Sequence, residues 1–202
     1  MQVQDDICKK TFLLVGSSRS LLNRSFTKKK VDVDYTCRFG FRWMEKSDEL
    51  TRYMGDFNAV ISSHYDHKNV IDQYYKNEIG KKTKRIFLVS PQKERYVIEK
   101  DDNISYHDIT PDEYQKIADA YQRYGFTKFP RTGLTCIIWL IFAKECKVFI
   151  RGFDIDASDN STDQDISVKN KKLCCRHNSK AESRVINQLI AEKYIHVYDE
   201  LP

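Results

Sequence analysis

Ten consecutive residues, Leu134 to Ala143, carry one hydroxyl and no charge. The run is too long for an ordinary buried strand and too short for a bilayer, which takes about 20 apolar residues to cross. A buried helix is what remains. Lys144, Glu145 and Cys146 then turn the chain into Lys147-Val148-Phe149-Ile150-Arg151, a β-branched and aromatic stretch that reads as a strand ending at Gly152. The helix starts at Thr132-Gly133, so its unpaired N–H groups and positive dipole end fall beside Arg131. That arrangement suits a phosphate or a carboxylate.

The rest of the chain is read around this helix. Phe12 to Val15 is a short apolar strand running into Gly16-Ser17-Ser18-Arg19-Ser20 and a helix start. Strand, Gly-Ser loop, helix is a phosphate-friendly order, although the G-x-G-x-x-G fingerprint of an oxidoreductase and the P-loop lysine are both missing. Strands are expected at Val31–Cys37, Phe57–Ile61 and Arg85–Val89, with a helix over 68–79. Thr110-Pro111-Asp112-Glu113 is a capping box with proline at the first helical position, opening a helix that runs to Gly125. Residues 155–176 are polar, acidic first and basic later, and are expected to form a flexible lid loop. Ser179-x-x-Glu182 reads as a second capping box, opening a helix with Ala181, Val185, Ile186, Leu189 and Ile190 on one face. A last strand is expected within Tyr194–Tyr198.

Strand and helix alternate along the chain, which argues for a single-domain, Rossmann-like α/β/α sandwich over residues 1–202 with a mainly parallel sheet. Ligands of such folds gather beyond the carboxyl ends of the strands. Here four loops are expected to converge there, at 16–20, 38–42, 62–67 and 152–177. The Asp32-x-Asp34 pair falls at the opposite end.

Charge and cysteine usage narrow the class. The net charge is +5, with basic clusters at Lys28–Lys30 and Lys81–Arg85. These read as solvated loops, or as peripheral contacts with an anionic membrane. Without an aromatic-interleaved basic stripe, nucleic acid is not expected as a partner. The six cysteines lack C-x-x-C spacing, and Cys136 sits inside the apolar helix, so a reducing compartment is expected. His64-x-x-His67 on a loop fixes no metal geometry, nor does Cys174-Cys175 beside His177. The start of the sequence has no leader pattern. The expected location is the cytoplasm, with peripheral contact at the inner membrane face.

Three stretches together resemble the motifs of animal-type sialyltransferases, glycosyltransferase family 29, and more loosely the bacterial sialyltransferases. Leu14-Val15-Gly16-Ser17-Ser18, followed by Val31 to Gly40, looks like the family's large motif. Pro130-Arg131-Thr132-Gly133 through Gly152-Phe153 looks like its small motif. His177 with Glu182 looks like its closing His-x4-Glu. The chain departs from the pattern at Ser17 and Gly40, where the family favours asparagine, and at Arg131, where it favours a small residue. The family's histidine-aromatic motif has no counterpart; Lys171, Lys172 and Arg176 are nearby.

The resemblance implies a GT-A-like fold. It also implies inverting transfer of sialic acid, or a related 2-keto sugar acid, from a CMP-sugar donor to an oligosaccharide or glycolipid acceptor. No metal and no cofactor are implied. His177 would be the base, Glu182 an orienting residue, and Arg131 a partner for the donor carboxylate or the leaving phosphate. Gly16, Ser17, Ser18, Arg38, Gly40, Thr132, Gly133, Gly152 and Phe153 would meet the donor. Two alternatives stand beside this reading. One is a metal-dependent transferase using Asp154 and Asp156 on a sugar diphosphate; the other is a nucleotide-binding relative without catalysis.

Overall fold

The computed structural model describes residues 7–16, 32–39, 57–62, 85–89, 105–126, 130–153, 155 and 179–198. The helices expected after residue 18 and over 68–79 lie outside these, as do most of the 155–176 segment and Ser17, Ser18, Gly40, Asp154, Asp156 and His177.

Among the described residues, seven short strands form one sheet: β1 (Thr11–Val15), β2 (Tyr35–Phe39), β3 (Ala59–Ser62), β4 (Arg85–Leu88), β5 (Ser105–Asp108), β6 (Lys147–Arg151) and β7 (Ile195–Val197). Their order is β5-β4-β3-β2-β1-β6-β7, and every neighbouring pair is parallel. Parallel strands are covered on both faces and so tend to be apolar throughout. Phe12, Leu14, Cys37, Ala59, Ile61, Phe87, Val148 and Ile150 belong to the cluster around Trp139, while Val15, Val60, Ile86 and Phe149 alternate to the other face and are buried as well.

Helix α1 (Pro111–Arg123) has the capping box that the sequence announces. The Thr110 hydroxyl accepts from the Glu113 N–H, and the Glu113 carboxylate accepts from the Thr110 N–H. Its exit is a Schellman turn, in which Gly125 at φ +69° lets Phe126 N–H reach Tyr121 C=O and Gly125 N–H reach Gln122 C=O. The central helix differs in one respect from the expectation. It is α-helical only over α2 (Thr132–Ile138) and continues as a π-turn from Trp139 to Ala143, with Lys144 N–H bonded to Trp139 C=O. Among the described residues no helix is long and apolar enough to cross a membrane. Helix α3 (Ser179–Ala191) buries Val185, Ile186 and Leu189 as its apolar stripe requires.

Two strand expectations shift. β2 starts at Tyr35 rather than Val31, because Asp34 is used to fix the register at its base: its carboxylate accepts from the Thr11 N–H at 2.8 Å and its own N–H donates to Thr11 C=O at 2.9 Å. β5 has no counterpart among the strands the sequence pattern predicts. Its Ser-Tyr-His-Asp sequence has no apolar run, yet His107 is buried with its ring 5.3 Å from that of Trp139. Burial and the nearby Lys144 ammonium depress the His107 pKa to about 4, so the ring is neutral at physiological pH.

One buried carboxylate joins these parts. Besides capping α1, Glu113 accepts from the Trp139 indole N–H at 3.0 Å and pairs with the Lys144 ammonium. Removing one partner of a buried pair strands the other. Glu113→Ala is therefore expected to cost about 3–5 kcal/mol in urea unfolding, whereas Glu113→Gln combined with Lys144→Met recovers most of that loss; a Glu113→Ala cost below about 1 kcal/mol, as for a surface pair, would contradict the assignment.

Candidate active site

β1 is where the strand order turns. β2 to β5 lie on one side of it and β6 and β7 on the other, so the crevice beyond the carboxyl ends of β1 and β6 is the topological switch point. The chain leaves these two strands at Gly16 and Gly152. The Gly16 N–H donates to Arg151 C=O at 2.7 Å, and a Cβ on Gly16 would lie 2.3 Å from the Gly152 carbonyl oxygen. Gly152 itself has φ +66°, in the left-handed region. Both glycines are thus dictated by backbone geometry.

Phe153 forms the wall beyond them. Its ring meets Phe39 edge-to-face at 5.8 Å, and a Cβ on Gly133 would lie 3.0 Å from its Cε1. The first turn of α2 therefore abuts the same wall. The first helical bond runs from Thr135 N–H to Arg131 C=O at 3.1 Å, so the amides of Thr132, Gly133 and Leu134 have no acceptor within the helix. Arg131 is the N-cap and makes no side-chain cap.

The structure thus brings together Gly16, Gly152, Phe153, Thr132, Gly133 and Arg131, all singled out from the sequence, and adds Phe39. Arg38 stands apart. It alternates to the opposite face of β2 and is 4% exposed, with its guanidinium 4.2 Å above the Phe57 ring.

Glu182 joins this group from α3. Ser179, read as a cap, is the first residue of the helix itself. The Glu182 carboxylate crosses to α2, where its Oε1 accepts from the Arg131 N–H at 3.0 Å. Burial raises its pKa from 4.5 to about 7, while the Arg131 charge and that hydrogen bond pull the other way. Two further residues of α3 were not found from sequence. Ser183 Oγ and Asn187 Nδ2 both donate to the Ile155 carbonyl, each at 2.6 Å. Short polar side chains on a helix carry no periodic signal, and only the helical spacing of 183 and 187 hints at a shared target.

In class, the chain is a parallel α/β fold with a glycine-lined switch-point crevice closed by a helix N-terminus. No family model matches its sequence, and no curated protein matches it by sequence. Among solved structures its fold is that of sialyltransferases. A mammalian sialyltransferase superimposes with a TM-score of 0.60 at 12% identity, over 95% of this chain and 69% of that one. The Campylobacter jejuni α-2,3-sialyltransferase in apo form gives 0.55 at 18% identity, over 99% and 80%. The sialyltransferase Cst-II, in complex with a trisaccharide acceptor and CMP, gives 0.55 at 14%, over 93% and 80%.

Two outcomes follow from this geometry. Gly16→Ala forces backbone apart and is expected to cost about 3 kcal/mol in denaturant unfolding, against about 1 kcal/mol for Gly133→Ala, which displaces only a ring edge; equal costs would contradict the close approach. Glu182 binds a proton more tightly folded than unfolded, so its contribution is full below pH 4.5 and is lost as pH rises through about 7. Stability is expected to fall by up to about 3 kcal/mol over that window, and Glu182→Gln, which retains an acceptor for Arg131 N–H, should flatten the profile measured by unfolding at pH 5, 6, 7 and 8.

Proposed function

We propose that the chain is a sialyltransferase-like glycosyltransferase that takes a CMP-activated sialic acid, or a related 2-keto sugar acid, in the switch-point crevice and passes the sugar to a hydroxyl of an oligosaccharide or glycolipid. The observation that carries this reading is the Gly16–Gly152–Phe153–Gly133 contact, built on a sialyltransferase fold by the residues through which the sequence resembles that family. Sialyltransferases of similar fold are known in complex with CMP and with the substrate analogue CMP-3FNeuAc.

In this reading the acceptor oxygen bonds to the anomeric carbon while the bond from that carbon to the phosphate oxygen breaks. Inversion follows from attack on the face opposite the leaving group. CMP departs with the bonding electrons, and the acceptor proton passes to His177, the proposed base, which precedes the first residue of α3 by two positions in the sequence. The free amides at the start of α2 and the Arg131 guanidinium supply positive charge for the leaving phosphate. Transfer of this kind needs no metal, since the donor carries one phosphate and the charge that develops on it is met by protein donors.

Calorimetric titration with CMP, CDP and UDP, with and without magnesium, tests the reading. The expected result is a metal-independent preference for CMP that Thr132→Trp abolishes, since the indole fills the space in front of α2. Preference for UDP with magnesium moves the assignment to Asp154 and Asp156, and absence of nucleotide binding removes the enzyme reading.

A further inference from the structure

We infer that Ser183 and Asn187 are positioning residues of the donor crevice, acting through the Ile155 carbonyl. This inference rests on the CMP-sugar reading for its functional consequence, but its structural content stands on α3 alone. The helix holds both walls of the crevice. Glu182 grips the wall formed by α2 through Arg131 N–H; Ser183 and Asn187 grip the wall formed by Gly152-Phe153 two residues further on, at Ile155.

Three features make this more than helix decoration. The two donors lie one turn apart, so they meet one carbonyl only if that carbonyl faces the helix squarely, which fixes the orientation of the Ile155 peptide. Ile155 N–H closes back on Phe153 C=O at 3.1 Å in a tight turn, so Ile155 is tied to Phe153 through its amide and to α3 through its carbonyl. The ring of Phe153 in turn touches the first turn of α2 at Gly133 and the end of β2 at Phe39. Holding the Ile155 carbonyl therefore holds the Phe153 ring in register with the α2 amides. Glu182, Ser183 and Asn187 share one stretch of one helix, so the spacing between the two walls is set by a rigid element and not by the loops that join them.

The consequence concerns nucleotide affinity more than folding. Asn187 is exposed and Ser183 buried, and α3 keeps its apolar face on Val185, Ile186 and Leu189 whatever these two side chains do. Losing the two bonds frees the Ile155 peptide, lets Phe153 move off Gly133 and widens the crevice.

The test uses the full chain with Ser183→Ala, Asn187→Asp and the double variant; aspartate keeps the shape of asparagine but cannot donate to a carbonyl. CMP affinity is read by calorimetry, and amide exchange of the peptides over 149–155 and 179–191 by mass spectrometry. The expected result for the double variant is CMP binding weakened about tenfold, the price of two hydrogen bonds shared between folding and binding. Exchange over 152–155 quickens at least as much while that of α3 is unchanged, and Ser183→Thr restores the single-site loss by keeping the hydroxyl. Unaltered exchange over 152–155 overturns the inference, as does faster exchange with CMP affinity intact. A uniform rise in exchange across both peptides also overturns it, since that reports a merely structural role. Should the unmodified chain bind no CMP, the nucleotide reading is what fails, and the exchange measurement alone decides whether α3 sets the wall.

Discussion

The approach of Gly16 to Gly152 governs the architecture. β1 and β6 are distant in sequence and adjacent in the sheet, paired in register from Thr11 opposite Lys147 to Val15 opposite Arg151. Where they end, the two backbones come close enough for Gly16 N–H to bond Arg151 C=O, and the space a Cβ would need is taken by the Gly152 carbonyl. Any side chain at position 16 would push the strand ends apart and open the floor of the crevice. Every other part of the site is arranged relative to this floor: Phe153 rises from it, Gly133 brings α2 down onto Phe153, and Phe39 closes the side toward β2.

Two buried carboxylates then fix the ends of the central helical run. Glu182 holds the beginning through Arg131 N–H, and Glu113 holds the far end through the Trp139 indole and Lys144. The apolar contacts between them, around Cys136, Ile137 and Leu140, drive burial without specifying register. A helix with an almost uniformly apolar surface could slide or rotate on the sheet at modest cost, and directional bonds at both ends prevent this. The π-turn over Trp139–Ala143 lies at the end that Glu113 holds, where one widened turn accommodates both the indole and Lys144 on a single carboxylate. Glu113 has an ammonium against it. At Glu182, burial outweighs the Arg131 charge and the backbone amide, and its pKa rises.

Much of this was legible in the sequence because the physics there is local. β-branched and aromatic runs gave β1, β4 and β6; a cap, a proline and a glycine bounded α1; and the length of the apolar run identified a buried helix. Gly16, Gly133 and Gly152 stand out in the sequence only through the family resemblance, and the structure gives a steric reason for each. What escaped depends on partners far away in the chain. β5 is polar, and His107 is buried only because Trp139 arrives from another element. Asp34 belongs to an alternating pattern that imitates a strand, but its carboxylate is spent on Thr11. Glu182 has the spacing of a capping box, and nothing local reveals that its acceptor is needed 51 residues away. Ser183 and Asn187 are ordinary surface-helix residues until Ile155 is placed beside them.

The likeness to sialyltransferases at 12 to 18% identity is intelligible in these terms. A parallel sheet asks only that its strands be apolar, and many side chains satisfy that. The switch point asks for more: two positions without a Cβ, a ring to form a wall, and a helix start with free amides. Those requirements fall on a handful of residues, so a chain can change nearly everywhere else while keeping them. They also define what such a crevice prefers chemically. A floor of bare backbone and a wall of phenylalanine admit a flat ring, while amides from a helix start favour an anion beside it.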